Sequence, residues 1–210
     1  MRVRTKVCGI TRLQDAQAAV ELGIDAVGFN FVKGSPREVP VERAREISEA
    51  LPPFVTRVGV FADARPPSME AKARLVGLDW LQLHGDEDPG VCAGLGLRWY
   101  KVFRVVPGFS PEDVARYASG TVLLDAFSPE ARGGTGRSFD WNIARRVGAY
   151  ARVIVAGGLS EENVEEAVRA ARPYGVDVNS GVESEPGIKD PGRLERFMRS
   201  LRAVEEEIGS

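Results

Sequence analysis

Two side chains stand where apolar runs end and could move protons. Cys8 closes the run Arg2–Cys8, and Asp125 follows the run Thr121–Leu124. A thiol is a nucleophile, or a general base once it loses its proton. A carboxyl at the end of an apolar run, with few charges near it in sequence, can have a raised pKa and donate a proton. A carboxylate satisfied by loop N–H groups is the other reading, and the sequence does not separate the two. Arg37, in Lys33-Gly34-Ser35-Pro36-Arg37, carries a guanidinium suited to bidentate capture of a carboxylate or phosphate. His84, in Leu81-Gln82-Leu83-His84-Gly85, is the only histidine, and a positioning role suits it as well as catalysis. Lys6 and Lys101 lie within apolar runs, where each could form a Schiff base or pair with a buried carboxylate.

Glycines form the second group. Gly133-Gly134-Thr135-Gly136, Gly157-Gly158 and Ser180-Gly181 each follow an apolar run. Glycine lets backbone N–H groups approach an anion closely, so loops of this kind can cradle a phosphate. Gly134, Gly136, Gly157, Gly158, Ser180 and Gly181 are therefore the expected phosphate-binding residues. Cys92, inside an expected outer helix, reads as a buried small hydrophobe.

These residues need a scaffold that brings run ends together. Eight apolar runs read as strands: Arg2–Cys8, Ala26–Phe29, Thr56–Phe61, Trp80–Leu83, Tyr100–Phe103, Thr121–Leu124, Arg152–Val155 and Val176–Val178. Amphipathic stretches alternate with them. Thr11-Arg12-Leu13-Gln14 reads as a capping box. Val41–Leu51 is stopped by Pro52-Pro53. Ser160 reads as an N-cap ahead of Val164, Ala167, Val168 and Ala171. Leu194, Phe197, Met198, Leu201 and Val204 form a final stripe. Weaker helical patterns occupy Ser68–Val76, Pro89–Leu95, Pro111–Tyr117 and Trp141–Val147. Eight strand–helix units in 210 residues leave room for little else. The expectation is one compact α/β domain over 1–210, a (β/α)8 TIM barrel with eight parallel strands and its site at the C-terminal ends of those strands. An open doubly wound sheet is disfavoured, because Cys8-Gly9-Ile10-Thr11 does not match G-x-G-x-x-G.

Composition narrows the function. Lys+Arg is 28 against Asp+Glu 30, which argues against a nucleic-acid binder. No apolar run reaches the length of a membrane span, and the N-terminus turns polar too soon for a signal peptide. Cys8 and Cys92 read as free thiols in a reducing cytoplasm. One histidine and two separated cysteines offer little for a metal, and neither metal nor cofactor is expected. Arg numbers 23 against Lys 5, with only 4 Asn and 3 Gln; thermostability or a GC-rich genome would each give this bias. Monomer and homodimer are both compatible with the sequence.

The motif series resembles that of the phosphoribosylanthranilate isomerase family. The residues are Lys6-Val7-Cys8-Gly9-Ile10-Thr11, Gly28-Phe29-Asn30-Phe31, Ser35-Pro36-Arg37, Val58-Gly59-Val60-Phe61, Leu81-Gln82-Leu83-His84-Gly85, Gly133-Gly134-Thr135-Gly136, Ala156-Gly157-Gly158-Leu159, Asp177-Val178-Asn179-Ser180-Gly181-Val182-Glu183 and Gly187-Ile188-Lys189-Asp190. They come in the family's order across nearly the whole chain. The resemblance implies a (β/α)8 barrel that converts N-(5-phosphoribosyl)anthranilate to 1-(2-carboxyphenylamino)-1-deoxyribulose 5-phosphate by an Amadori rearrangement, the third step from chorismate to tryptophan. It implies Cys8 as general base, Asp125 as general acid, Arg37 on the anthranilate carboxylate, and the Gly loops with Ser180-Gly181 on the phosphate. Phe31-Val32-Lys33-Gly34 departs from the aromatic-then-Pro pattern of many members. The alternatives are another phosphate-binding barrel, of the indole-glycerol-phosphate synthase or histidine-pathway isomerase type, a Schiff-base aldolase using Lys6 or Lys101, and a catalytically silent phosphate-metabolite binder.

Overall fold

Alternation along each strand decides the architecture. The computed structural model describes residues 2–125 and 141–209. Eight strands, β1 (Arg4–Val7), β2 (Ala26–Asn30), β3 (Thr56–Phe61), β4 (Trp80–Leu83), β5 (Trp99–Arg104), β6 (Thr121–Asp125), β7 (Arg152–Ala156) and β8 (Gly175–Val178), follow one another around a closed barrel. Every neighbouring pair is parallel, including β8 against β1, where Lys6 pairs with Asp177 in register.

One parity of each strand faces the helices. Val7, Val27, Phe29, Leu81, Leu83, Val122, Leu124, Val153, Val155, Val176 and Val178 join the large core between barrel and helices. The other parity points inward, where Val58, Tyr100, Val102, Leu123 and Ala156 pack as a separate cluster. A strand of alternating faces covered on both sides explains why these runs read as almost continuously apolar. The inward parity also carries the polar exceptions, and those exceptions make the site.

The outer layer holds α1 (Leu13–Glu21), α2 (Val41–Ala50), α3 (Pro66–Val76), α4 (Pro89–Ala93), α5 (Asn142–Val147), α6 (Val164–Ala171) and α7 (Pro191–Gly209). Two local expectations need correction, one expected helix is of a tighter kind, and one element was not expected. Thr11 does not cap α1: Arg12 occupies the N-cap without a side-chain cap bond, and the Thr11 hydroxyl instead donates to the Gly187 carbonyl at 2.5 Å. Ser160 does not cap α6 either. Asn163 holds that position, and Ser160 closes a turn ahead of it, its Oγ accepting from the Glu162 N–H. Pro111–Tyr117 forms a 3-10 helix rather than an α-helix. After β8 the chain adds an unforeseen antiparallel hairpin, β9 (Glu183–Glu185) with β10 (Ile188–Lys189). Among the described residues, no helix is long and apolar enough to cross a membrane.

Candidate active site

Inward parity at the C-terminal ends of the strands brings the proposed proton carriers to one mouth. Cys8 follows β1 and Asp125 ends β6. Around the closed barrel two strands separate β1 from β6 one way and four the other, so the two groups face each other across the opening.

Cys8 sits directly above a buried ion pair. Lys6, two residues earlier on the same face of β1, reaches Asp177 of β8 at 2.6 Å, and both side chains are nearly inaccessible. Burial pushes the Cys8 thiol above its ordinary value; the Lys6 ammonium opposes this and Asp177 reinforces it. Burial works against charge on Lys6 as well, but Asp177, Cys8 and Tyr100 together outweigh it and hold the group as an ammonium. Gly28 makes this arrangement possible. A Cβ there would lie 2.8 Å from the Cys8 Sγ and 3.0 Å from the Lys6 Nζ, so any larger residue on β2 would have to displace one of them.

Asp125 faces His84. The imidazole Nε2 lies 3.3 Å from the Asp125 Oδ2. The other ring nitrogen, Nδ1, lies 3.3 Å from the Gln82 Nε2.

Arg37 is fixed by a carboxylate that sequence reasoning did not single out. Its Nε donates to Glu183 at 3.0 Å and its Nη2 at 2.6 Å. Lys189 donates to the same carboxylate at 2.7 Å and to the Asn179 Oδ1 at 2.9 Å. Burial alone would raise the Glu183 carboxyl, but the bonds from Arg37 and Lys189 hold it below the ordinary carboxylate value. The β9–β10 hairpin supplies both Glu183 and Lys189, so this appendage orients Arg37 at the barrel mouth.

The phosphate expectation divides in two. Gly134 and Gly136 lie outside the described residues. Gly157 and Gly158 follow β7 with φ of 88° and 67°, a backbone region open to glycine. Ser180 opens a 3-10 turn after β8. Gly181, in that turn, packs so closely on the β7 loop that a Cβ would lie 1.9 Å from the Leu159 carbonyl oxygen. The two Gly-bearing turns are thus in direct contact beside the mouth.

Lys101 belongs to a different place. It has the outward parity of β5, with Leu83 as its register partner, and so faces the helix layer. Its ammonium donates to the carbonyls of Leu83 and Gly85 at 3.2 and 2.6 Å and lies 3.2 Å from the Glu87 carboxylate. A Schiff base with a substrate in the barrel mouth is out of its reach. Lys6, although inward, is committed to Asp177. The fixtures that sequence reasoning missed are Gly28, Asp177, Glu183 and Lys189. The i, i+2 spacing of Lys6 and Cys8 could have indicated Asp177, since a buried charge under the thiol needs a partner. Among the described residues no group of three His, Cys, Asp or Glu side chains could hold a metal ion.

Comparison with known proteins matches the sequence and fold to one family. A family model described as N-(5'phosphoribosyl)anthranilate (PRA) isomerase matches residues 5–200. A relative from Geobacter metallireducens, an N-(5'-phosphoribosyl)anthranilate isomerase, is 47% identical over 201 residues, covering 96% of this chain and 100% of its own. The crystal structure of phosphoribosyl anthranilate isomerase from Thermotoga maritima superposes with a TM-score of 0.89 at 40% identity, covering 96% of this chain and 100% of that one. A phosphoribosyl anthranilate isomerase in complex with reduced 1-(o-carboxyphenylamino)-1-deoxyribulose 5-phosphate superposes with a TM-score of 0.87 at 38% identity and the same coverage. A further structure, of monomers generated from the dimeric Thermotoga maritima enzyme, has a TM-score of 0.84 at 36% identity, again over 96% of this chain and 100% of that one.

Proposed function

The chain belongs to the N-(5'-phosphoribosyl)anthranilate isomerase family, and from that membership we propose how its barrel mouth works. It is an isomerase of tryptophan biosynthesis that rearranges N-(5-phosphoribosyl)anthranilate to 1-(2-carboxyphenylamino)-1-deoxyribulose 5-phosphate. The observation that carries the residue assignment is the pair of inward groups, Cys8 and Asp125, on opposite sides of one opening.

Protonated Asp125 gives its proton to the furanose ring oxygen as the C1–O bond breaks, with the electron pair going to that oxygen. The anthranilate nitrogen stabilises C1 as an iminium. The Cys8 thiolate takes the C2 proton, and the C2–H pair moves to neutralise the iminium, leaving an enolamine. The C2 hydroxyl then loses a proton and C1 gains one, which gives the ketone. One proton has left Asp125 and one has arrived on Cys8, so resetting the site returns a proton to Asp125. Burial raises the Cys8 pKa and so works against the thiolate, but a thiolate of raised pKa is the stronger base once formed, and the Lys6 ammonium beneath it is the group that favours its formation. Arg37, oriented by Glu183, offers its remaining nitrogen Nη1 to the anthranilate carboxylate. Gly157, Gly158, Ser180 and Gly181, with Gly134 and Gly136, receive the phosphate. Holding the substrate at both ends supplies the orientation that the two proton transfers need.

Steady-state kinetics, read from the loss of anthranilate fluorescence with substrate made in situ, tests the assignment. Cys8→Ser and Asp125→Asn lower kcat by roughly 10²–10⁴-fold with little change in KM, the usual weight of general acid–base groups. Arg37→Ala acts chiefly on KM. Near-normal kcat in Cys8→Ser would remove the thiol from the mechanism.

We further infer one cytoplasmic, thermostable catalytic domain that pairs as a homodimer. Phe54 supports the pairing. It is fully exposed, with φ of 72°, on the loop that leads into β3. It stands at the rim of a cavity of about 330 Å³ at the end of the barrel opposite the site, lined by Ala26, Val58, Trp80, Tyr100 and Ile154. A two-fold contact would seat each Phe54 in its partner's cavity. Sedimentation of wild type as a dimer and of Phe54→Glu as a monomer is the expected result; a wild-type monomer refutes it. The arginine bias supports thermostability, and a Tm within the ordinary mesophile range of roughly 45–65 °C would refute that.

A further inference from the structure

Below the acid lies a buried polar ladder. Gln82 of β4 and Tyr100 of β5 are register partners on the inward face. Both are almost completely buried, beside the apolar Val58, Val102 and Leu123. Burying a carboxamide and a phenol there is costly unless each is bonded, and an apolar side chain would fill the space without that cost. Here each is bonded. The Tyr100 hydroxyl donates to the Gln82 Oε1 at 2.9 Å. Burial pushes the phenol well above its ordinary value, so it keeps the proton that it donates.

That one bond settles the rest of the ladder by donor and acceptor chemistry. With Oε1 committed to Tyr100, the carboxamide turns its Nε2 toward His84, where it meets Nδ1 at 3.3 Å. An amide nitrogen only donates, so Nδ1 must accept, and a neutral imidazole then carries its proton on Nε2. Nε2 lies 3.3 Å from the Asp125 Oδ2 and donates to it. An oxygen that accepts an N–H bond at this position does not also carry the acid proton toward the same nitrogen. The proton of Asp125 therefore resides on Oδ1. In the opposite tautomer, the bare Nε2 lone pair would draw the acid proton onto Oδ2 and away from the sugar.

We propose that Tyr100, acting through Gln82, fixes the tautomer of His84, and that His84 in turn places the Asp125 proton on the oxygen that delivers it to the substrate. Tyr100, Gln82 and His84 are thus positioning residues. The proposal rests on Asp125 being the ring-opening acid, although the ladder itself does not depend on that role. Among the described residues, the other charged groups around His84 include Asp177 across the barrel interior, Arg104, the register partner of Asp125 on β5, and Lys101, Glu87 and Asp63, which tie the backbone on either side of it.

His84 is the only histidine, so imidazole ¹⁵N NMR of the ligand-free protein reads the tautomer directly. With the imidazole neutral, the expected spectrum has Nε2 protonated and Nδ1 bare. Tyr100→Phe frees the carboxamide to flip, so the spectrum becomes a mixture of tautomers and kcat falls by up to about tenfold, the loss expected for one neutral hydrogen bond, with KM unchanged. Gln82→Glu places an acceptor against Nδ1 and reverses the tautomer, and kcat falls by about 10²-fold or more. A wild-type spectrum with Nδ1 protonated overturns the proposal, whatever Asp125 does. So does a Tyr100→Phe spectrum identical to wild type. If the spectra are as expected but Asp125→Asn keeps near-normal kcat, the acid assignment fails and the delivery half of the proposal falls with it. Those two failures are therefore distinguishable.

Discussion

Lys6 and Lys101 are buried to the same degree, each lies inside a strand, and each pairs with a carboxylate, yet they belong to different regions of the molecule. Lys6 takes the inward parity of β1 and meets Asp177 under the thiol. Lys101 takes the outward parity of β5 and meets Glu87 behind the barrel wall. There it ties down a loop. Lys101 holds the carbonyls of Leu83 and Gly85, on either side of His84, while the Glu87 Oε1 accepts from the N–H groups of Asp63 and Gly85. One ion pair sets the electric field at the thiol proposed as the base; the other sets the position of a backbone. A shift of one residue in strand phase separates the two uses.

The largest effect comes from breaking each pair. Lys6→Met and Lys101→Met each leave a buried carboxylate without its partner, and each lowers stability by about 3–5 kcal/mol. Denaturant unfolding measures this. The thiol then distinguishes them. Lys6 lowers the Cys8 pKa against a larger opposing effect of burial, so its removal moves the thiol further upward. The thiolate predominates only above the thiol pKa, so in Lys6→Met the rise of kcat/KM and of thiolate absorbance shifts to higher pH. Lys101→Met leaves that titration in place. Lys101 also lies among the groups that influence Cys92, so both are measured in a Cys92→Ala background. Equal shifts in both variants would mean that the two pairs do not differ in kind.

Glycines beside the two pairs give a smaller contrast. A Cβ at Gly28 would press on the Cys8 Sγ and the end of Lys6, at 2.8 and 3.0 Å. A Cβ at Gly85 would lie 2.5 Å from the Asp63 backbone nitrogen. Flexible side-chain ends can yield, whereas backbone in a tied loop cannot. Both Gly28→Ala and Gly85→Ala cost about 1–3 kcal/mol, the usual range for overpacking. Gly28→Ala falls near the low end with a marked loss of kcat, because the atoms that move are the thiol proposed as the base and its ammonium. Gly85→Ala falls near the high end. Thermal melts alongside kinetics check the order, and a Gly28→Ala enzyme with normal kcat would show that Cys8 tolerates displacement.

The barrel was legible because its strands are covered on both faces. Val, Ile, Leu and Phe fill both parities, so runs such as Thr121–Leu124 stand out from the amphipathic stretches around them. The closing residues of those runs then mark the mouth, which is how Cys8, His84 and Asp125 could be read from position alone. The supports were not legible. Glu183 and Lys189 follow the last strand in a polar stretch, where charge ordinarily means solvent, and only the β9–β10 hairpin turns them under Arg37. Thr11 has the spacing of a cap, but its hydroxyl is used across the chain on Gly187, a partner 176 residues away that no local pattern reveals. Strand phase was readable for Lys101, since Leu81, Leu83 and Lys101 share the outward face, but its partner Glu87 lies in a loop.

A third set of ion pairs shows what burial contributes to the comparison. Arg169 on α6 donates to Glu165 one turn earlier and to Glu207 on α7, at 3.0 and 2.6 Å. The distances match those of the Lys6 pair, but all three side chains are well exposed. Water solvates these charges whether or not they meet, and holding three long side chains in one geometry costs entropy, so the net gain is small. Salt reduces it further, because at 1 M the screening length is about 3 Å. Arg169→Ala is therefore expected to give the smallest change of the series, a slight fall in Tm at low salt that disappears at 1 M. The destabilisation in Lys6→Met and Lys101→Met, shielded from solvent ions, persists at the same salt. Paired melts of the three variants at low and high salt make the test. A large, salt-insensitive loss in Arg169→Ala would show that the α6–α7 contact, and not burial, ranks these pairs.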